Sequence, residues 1–158
     1  MDVCMKLVGA ATLALYAMSS AALAASPEGT WLSEDGGTKV RVVTCGGNKL
    51  CARLVWLHHP IDPSTGRPKT DKRNPDPAKR DRPLIGLEVV HALAPIGPNS
   101  WSGVIYNADD GHTYQASLKV ESDVAKLKGC VIAVICKSHI WTRVDGTGLQ
   151  NSASNEIQ

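Results

Sequence analysis

Between Thr113 and Val120 apolar and polar side chains alternate without a break. Tyr114, Ala116, Leu118 and Val120 fall on one parity, and Thr113, Gln115, Ser117 and Lys119 on the other. A period of two places the first set on one face of a β-strand and the second on the opposite face. Similar short, β-branched runs occupy residues 29–32, 38–45, 50–57, 101–106, 124–130 and 136–144. Residues 84–93 fit a strand or a short helix, and their periodicity does not separate the two. Turn residues lie between the runs: Glu34-Asp35-Gly36-Gly37, Gly46-Gly47-Asn48-Lys49, residues 95–100, and Asn107-Ala108-Asp109-Asp110-Gly111. About eight strands joined mostly by tight turns predict an all-β, antiparallel meander, and a meander of that size removes its edges by closing into a small barrel.

The first residues do not share this texture. Lys6 precedes the apolar run Leu7 to Met18, and Ala22-Leu23-Ala24 follows it. A run that short does not span a bilayer, and the small residues at 22 and 24 are what a signal peptidase reads. Residues 1–24 are therefore expected to be a secretory signal peptide cut near Ala24, leaving a mature chain with no transmembrane span in the periplasm or outside the cell. Residues 25–144 form the single expected domain, and the Gly/Ser/Asn-rich residues 145–158 a frayed tail. Loss of the leader removes Asp2, Lys6 and Cys4, so the net charge stays at +2 and four cysteines remain. Such a charge argues against wholesale nucleic-acid binding.

Four cysteines in an oxidising compartment point to disulfides, with three connectivities open. If Cys45 faces Cys51 across the hairpin, Val42 meets Leu54, Val40 meets Trp56 and Thr44 meets Ala52, while Arg41 and Arg53 fall on the other face. That inside–outside division was not built into the pairing and favours it. Such a bridge stabilises by roughly 2–2.5 kcal/mol in the chain-entropy picture. Pairing Cys130 with Cys136 sets Leu127 beside His139 and Ala125 beside Trp141, but Lys126 opposite Ile140, so a bulge or register shift is expected. Longer-range pairing between the two sets is the alternative. The five residues between the second pair, Val131 to Ile135, are all apolar. They are expected to be a buried strand or a loop folded over the core; the competing reading is a hydrophobic lid at a barrel mouth or a patch touching lipid or a partner.

Residues 58–83 are the most unusual stretch. They hold six of the nine prolines, seven bases (Arg67, Lys69, Lys72, Arg73, Lys79, Arg80, Arg82) and four acids (Asp62, Asp71, Asp76, Asp81). The prolines and the Asn74-Pro75-Asp76 turn signal predict an ordered excursion. Its chemistry is either an anion site built from Arg forks or a solvated loop with internal ion pairs. The sequence holds no nucleophile, phosphate-loop or dinucleotide motif. His58-His59 sit on opposite faces of a strand end and chelate poorly, and the Asp109-Asp110-Gly111 segment reads as a turn. No catalytic residue, metal site or cofactor is expected.

One family shares these landmarks in order. They are Gly29-Thr30-Trp31-Leu32 with Glu34 to Gly37; Cys45-Gly46-Gly47; Leu50-Cys51 to Val55-Trp56-Leu57; Asp62-Pro63, Thr65-Gly66, Thr70-Asp71, Asn74 to Pro77 and Arg82-Pro83-Leu84. They continue through Trp101-Ser102-Gly103, Ile105-Tyr106-Asn107, Asp110-Gly111, Thr113-Tyr114, Gly129-Cys130, Cys136 and Trp141-Thr142-Arg143. Over about residues 27–144 the chain resembles an exported bacterial family catalogued as domain of unknown function 2147. The resemblance implies a lipocalin-like, calycin-type barrel and carries over no catalytic residue. Calycin barrels set a Gly-x-Trp on the first strand beneath an Arg near the last, and Gly29-x-Trp31 with Arg143 fits.

The expected function is non-enzymatic binding of a small apolar or amphipathic envelope-derived ligand. Trp31, Trp56 and Trp101 are expected to line the interior, with Arg73, Arg80 and Arg82, supported by Asn74 and Asp76, at an anionic headgroup. The alternative is a filled-barrel interaction module that binds an envelope protein or anionic glycan through the 58–83 loop.

Overall fold

The computed structural model describes residues 26–132 and 135–144. The expected leader and tail lie outside these residues. Eight strands form: β1 (Gly29–Ser33), β2 (Thr38–Cys45), β3 (Lys49–Leu57), β4 (Glu88–Gly97), β5 (Ser100–Asn107), β6 (His112–Glu121), β7 (Val124–Ile132) and β8 (Ile135–Arg143). Each pairs antiparallel with the next, and β8 returns to β1 to close the barrel. The eight-stranded all-β meander is thus the fold. Among the described residues the one helical turn is a 3-10 turn at Pro77–Lys79, and no helix is long and apolar enough to cross a membrane.

Both local disulfides are present, Cys45–Cys51 and Cys130–Cys136. The second hairpin has the expected register, with Cys130 opposite Cys136, Leu127 opposite His139 and Lys126 opposite Ile140, and the expected shift falls at its end, between Cys130 and Ile132. The first differs. Cys45 faces Lys49, Val42 faces Ala52 and Val40 faces Leu54, two residues from the expected pairing, so the Cys45–Cys51 bridge runs diagonally. The reason is the turn: Gly46, Gly47 and Asn48 all take positive φ (47°, 66° and 63°) and reverse the chain in three residues. A shift of two preserves parity, so the predicted inner face survives.

Parity breaks later in β3. Val40 pairs with Leu54 but Lys39 pairs with Trp56, so Val55 is an extra residue. The bulge turns Trp56 outward, 36% exposed, with the Lys39 ammonium 4.7 Å from its ring centroid. The interior role expected of Trp56 is thereby corrected. Leu57 takes the inward position and packs on the core.

Residues 84–93 are neither wholly strand nor helix: 84–87 finish the long connection and β4 begins at Glu88. Pro95, expected in a turn, lies within β4 opposite Trp101. The ladder with β3 ends at Leu93, so the missing proline N–H costs no bond on that side.

Trp31, Leu50, Leu93 and Val120, each at most 2% exposed, centre the core, with Val42, Ala52, Leu54, Trp101 and Ala125 around them. Up-and-down connectivity places the β1–β2 turn, the 58–87 connection, the β5–β6 turn and the end of the β7–β8 hairpin at one rim, called upper here. The lower rim holds the other three turns. There the Arg143 guanidinium lies 4.3 Å from the Trp31 ring centroid and donates to the Glu28 and Ser26 carbonyls. The Trp31 indole donates to the Pro27 carbonyl at 3.0 Å. The Trp–Arg pairing implied by the calycin resemblance is therefore present.

Candidate functional site at the upper rim

The long connection is ordered by its own backbone. Asp62 and Lys69 amides donate to the carbonyls of Arg67 and Pro60; Leu84 and Asp71 amides donate to Lys69 and Arg82. The two arms are thus zipped, and the segment between them folds around one carboxylate. Asp71 is fully buried. Its Oδ2 accepts from Arg82 Nε (2.9 Å) and Nη2 (2.7 Å) and from Asn74 Nδ2 (2.8 Å). Its Oδ1 accepts from the Tyr106 hydroxyl on β5 at 2.6 Å. A buried charge persists only when paired and hydrogen-bonded, and here every partner is supplied. Burial, with the Asp71 carboxylate beside it, raises the Tyr106 hydroxyl above its ordinary value and keeps it a donor.

Further out, Asn74 Oδ1 accepts the Asp76 amide, and Asp76 caps the short 3-10 turn by accepting the Ala78 amide. Arg80 Nε donates to the Asn74 carbonyl at 2.8 Å. Asp62 is held down to about 2 by the Ser64 hydroxyl and amide and by Lys72. Three of the four acids are therefore in ion pairs within the loop: Asp71–Arg82, Asp62–Lys72 and Asp76–Lys79.

The loop rests on the β5–β6 turn. Gly111 has φ +77°, and a Cβ built there would stand 1.9 Å from the Arg73 carbonyl oxygen. Gly111→Ala is expected to lift the loop from the turn and to lower stability by at least about 2 kcal/mol, combining left-handed strain with a backbone clash. Urea unfolding of the two proteins measures this. Beside Gly111, burial opposes ionisation of Asp110, but the Tyr114 hydroxyl, the His112 amide and Asn107 outweigh it and hold the carboxyl below its usual range.

A groove of about 530 Å³ opens between the loop and the rim turns. Asp35, Gly36, Gly37 and Thr38 come from the β1–β2 turn, Leu57, His58 and His59 from the end of β3, Lys69 and Leu84 from the loop, and Asp109 from the β5–β6 turn. Leu57 and Leu84 give an apolar floor. Asp35 stays ionised, lowered first by the Ser33 hydroxyl and then by the Gly37 amide. His58 and His59 lie just past the end of β3, so the strand alternation expected to part them does not apply, and their rings meet edge to face at 4.4 Å. The site thus offers carboxylates, imidazoles and one ammonium around a small apolar surface.

None of the four tryptophans lines this groove. Trp31 and Trp101 face the barrel interior, packed in the core and away from this groove. Arg82, Asn74 and Asp76 make hydrogen bonds that hold the loop together. Arg73 and Arg80 are exposed and make no ion pair. Among the described residues no group of three or more His, Cys, Asp or Glu could hold a metal ion.

Sequence reading missed the groove because its residues lie far apart in the chain. The available signal was topological: alternate turns of a meander share a rim, which unites residues 34–37, 58–59 and 109. Asp71 and Tyr106 carried no local signal of their partnership.

Comparison with known proteins agrees with the architecture. Residues 29–143 match the model of a bacterial family described as "Uncharacterized protein conserved in bacteria (DUF2147)". A solved structure with a similar fold is protein HP1028 from Helicobacter pylori, described as belonging to the lipocalin family. The TM-score is 0.64 at 23% identity, covering 76% of this chain and 84% of that one. A search of the curated proteins found no match.

Proposed function

From a chain that belongs to the bacterial family DUF2147 and folds as a lipocalin-like barrel, we propose an exported, non-enzymatic binding protein that takes a small amphipathic ligand at the barrel mouth. The observation that carries this reading is the upper-rim groove, with its apolar floor and charged walls. Ligand sites of this kind combine an apolar surface with a few placed polar groups. Leu57 and Leu84 meet the apolar part, and Asp35, Asp109, Lys69 and the two histidines meet a polar or zwitterionic head. The centre of the barrel is taken by Trp31, Leu50, Leu93 and Val120, which favours the mouth over the deep interior. Export is read from residues 1–24 and agrees with the two disulfides.

Native mass spectrometry of protein isolated gently from its producing cell tests the reading. The expected result is a reproducible extra mass that disappears on denaturation, borne by a polypeptide that starts near Ala25. Thr38→Trp, which fills the groove, is expected to abolish the extra mass. Retention of the mass in that variant would move the ligand elsewhere, and a clean polypeptide mass for the native chain would sink the reading.

A second reading, an interaction module binding an anionic envelope glycan or protein through the loop, is favoured by one observation. Arg67 and Arg73 stand exposed with no acid in ion-pair range.

A further inference from the structure

The β7–β8 hairpin has a shape that ligand binding does not use. The β1–β8 ladder holds only three residue pairs, Trp31 with Arg143, Leu32 with Thr142 and Ser33 with Trp141. β8 residues 135–140 therefore run on past the end of β1. Residues 135–139 of this overhang are all exposed. At its end two aliphatic side chains face solvent, Val131 at 67% and Ile135 at 60% exposure, contrary to the buried placement expected from sequence. Singly exposed apolar residues are common, but these two stand together at the end of one hairpin. The Cys130–Cys136 bridge staples the hairpin directly behind them.

Charge identifies what such a tip meets. From Val124 to Trp141 the sequence contains Lys126, Lys128 and Lys137 and no Asp or Glu. Lys128 lies opposite Ser138 and Lys137 opposite Gly129, on adjacent rungs just behind the disulfide, and both are exposed. At the base of the hairpin Glu34 accepts the Ile140 amide. An aliphatic tip with a cationic collar matches the layered order of an anionic bilayer, acyl chains beneath negative headgroups. A second copy of this chain presents the same positive collar and is disfavoured by like charge.

We propose that the β7–β8 hairpin docks the protein peripherally onto an anionic phospholipid surface, Val131 and Ile135 entering the acyl boundary and Lys128 and Lys137 meeting the headgroups. The hairpin end shares the upper rim with the groove, but the docking residues are not among those that line it.

The test is co-sedimentation of the full chain with vesicles, one set of pure phosphatidylcholine and one containing 30% phosphatidylglycerol. Binding is expected to the anionic vesicles and to weaken with salt. Val131→Ser with Ile135→Ser is expected to weaken partitioning at least roughly tenfold. Lys128→Gln with Lys137→Gln is expected to weaken it by roughly twenty-five-fold at low salt, at about fivefold per lysine, while pure phosphatidylcholine binding stays low throughout. Both variants lie in an exposed hairpin, and near-ultraviolet circular dichroism verifies that the barrel is intact. Absence of binding by the native chain to anionic vesicles, or equal binding by the Ser variant, overturns the proposal. So does concentration-dependent self-association lost in the Ser variant without any vesicle binding, which would assign the tip to a second copy.

Discussion

Trp31→Ala is expected to lower the unfolding free energy by about 4–5 kcal/mol, the largest effect of any single tryptophan replacement. Truncating a buried aromatic residue costs about 3–5 kcal/mol in transfer and cavity terms, and Trp31 is only 2% exposed. Two further losses add to this. The Arg143 guanidinium, 4.3 Å from the ring centroid, loses a cation–π partner. The indole bond to the Pro27 carbonyl, which anchors the entering chain, is lost as well. The residue also sits at the seam where β1 meets β8 through three residue pairs, so local damage there falls on barrel closure itself. Urea denaturation followed by far-ultraviolet circular dichroism measures the change, and the melting temperature is expected to fall by about 15 °C or more. Trp56→Ala is the matched control and is expected to cost less than about 1 kcal/mol, because that ring lies outside the barrel under Lys39. Equal costs for the two would contradict the bulge that turns Trp56 outward.

Asp71→Ala is expected to cost about 3–4 kcal/mol and to release the long loop. Removing one member of a buried ion pair typically costs about 3–5 kcal/mol. The lower part of that range applies because the Arg82 side chain retains 39% exposure and rehydrates. The Tyr106 hydroxyl and Asn74 amide, which both aim at the lost carboxylate, are less easily satisfied. Two measurements separate global from local loss. Urea unfolding gives the free energy. Brief trypsin digestion reports the loop, which is dense in Lys and Arg but protected while ordered. Cleavage after Lys72, Arg73 or Arg80 is expected to accelerate sharply in Asp71→Ala and only modestly in Asp71→Asn, which keeps an acceptor of the same size. Unchanged digestion would show that backbone bonds such as Leu84 to Lys69 suffice to hold the loop.

Much of the fold was legible because alternation and turn chemistry are local signals. The β6 alternation, the turn at Asn107 to Gly111 and the spacing of the second cysteine pair each constrain only neighbouring residues, and each is met. The failures arose where a backbone irregularity intervened. No side-chain pattern announces that Gly46-Gly47-Asn48 reverses the chain in three residues, or that Val55 is the extra residue of a bulge. The tryptophans were overread for the same reason: aromatic character marks a residue for burial or binding, but only register decides which side of the wall it occupies. In the loop, the Arg-rich composition and the option of internal ion pairs were visible, and which base each acid would take was not. The Asp71–Tyr106 contact joins residues far apart in sequence and depends on a barrel wall already in place.

Each disulfide joins cysteines consecutive in the sequence, Cys45 with Cys51 and Cys130 with Cys136. This order bears on biogenesis. Under the proposed export, with the leader and its Cys4 removed, a polypeptide entering an oxidising space N-terminus first presents Cys45 and Cys51 together, well before Cys130 emerges. An oxidase that links thiols in order of arrival therefore produces the native set directly, with no need for an isomerase to exchange wrong partners. Neither bridge clasps the seam between the first and last strands. Thiol oxidation consequently fixes two hairpins early and leaves final closure to side-chain packing around Trp31.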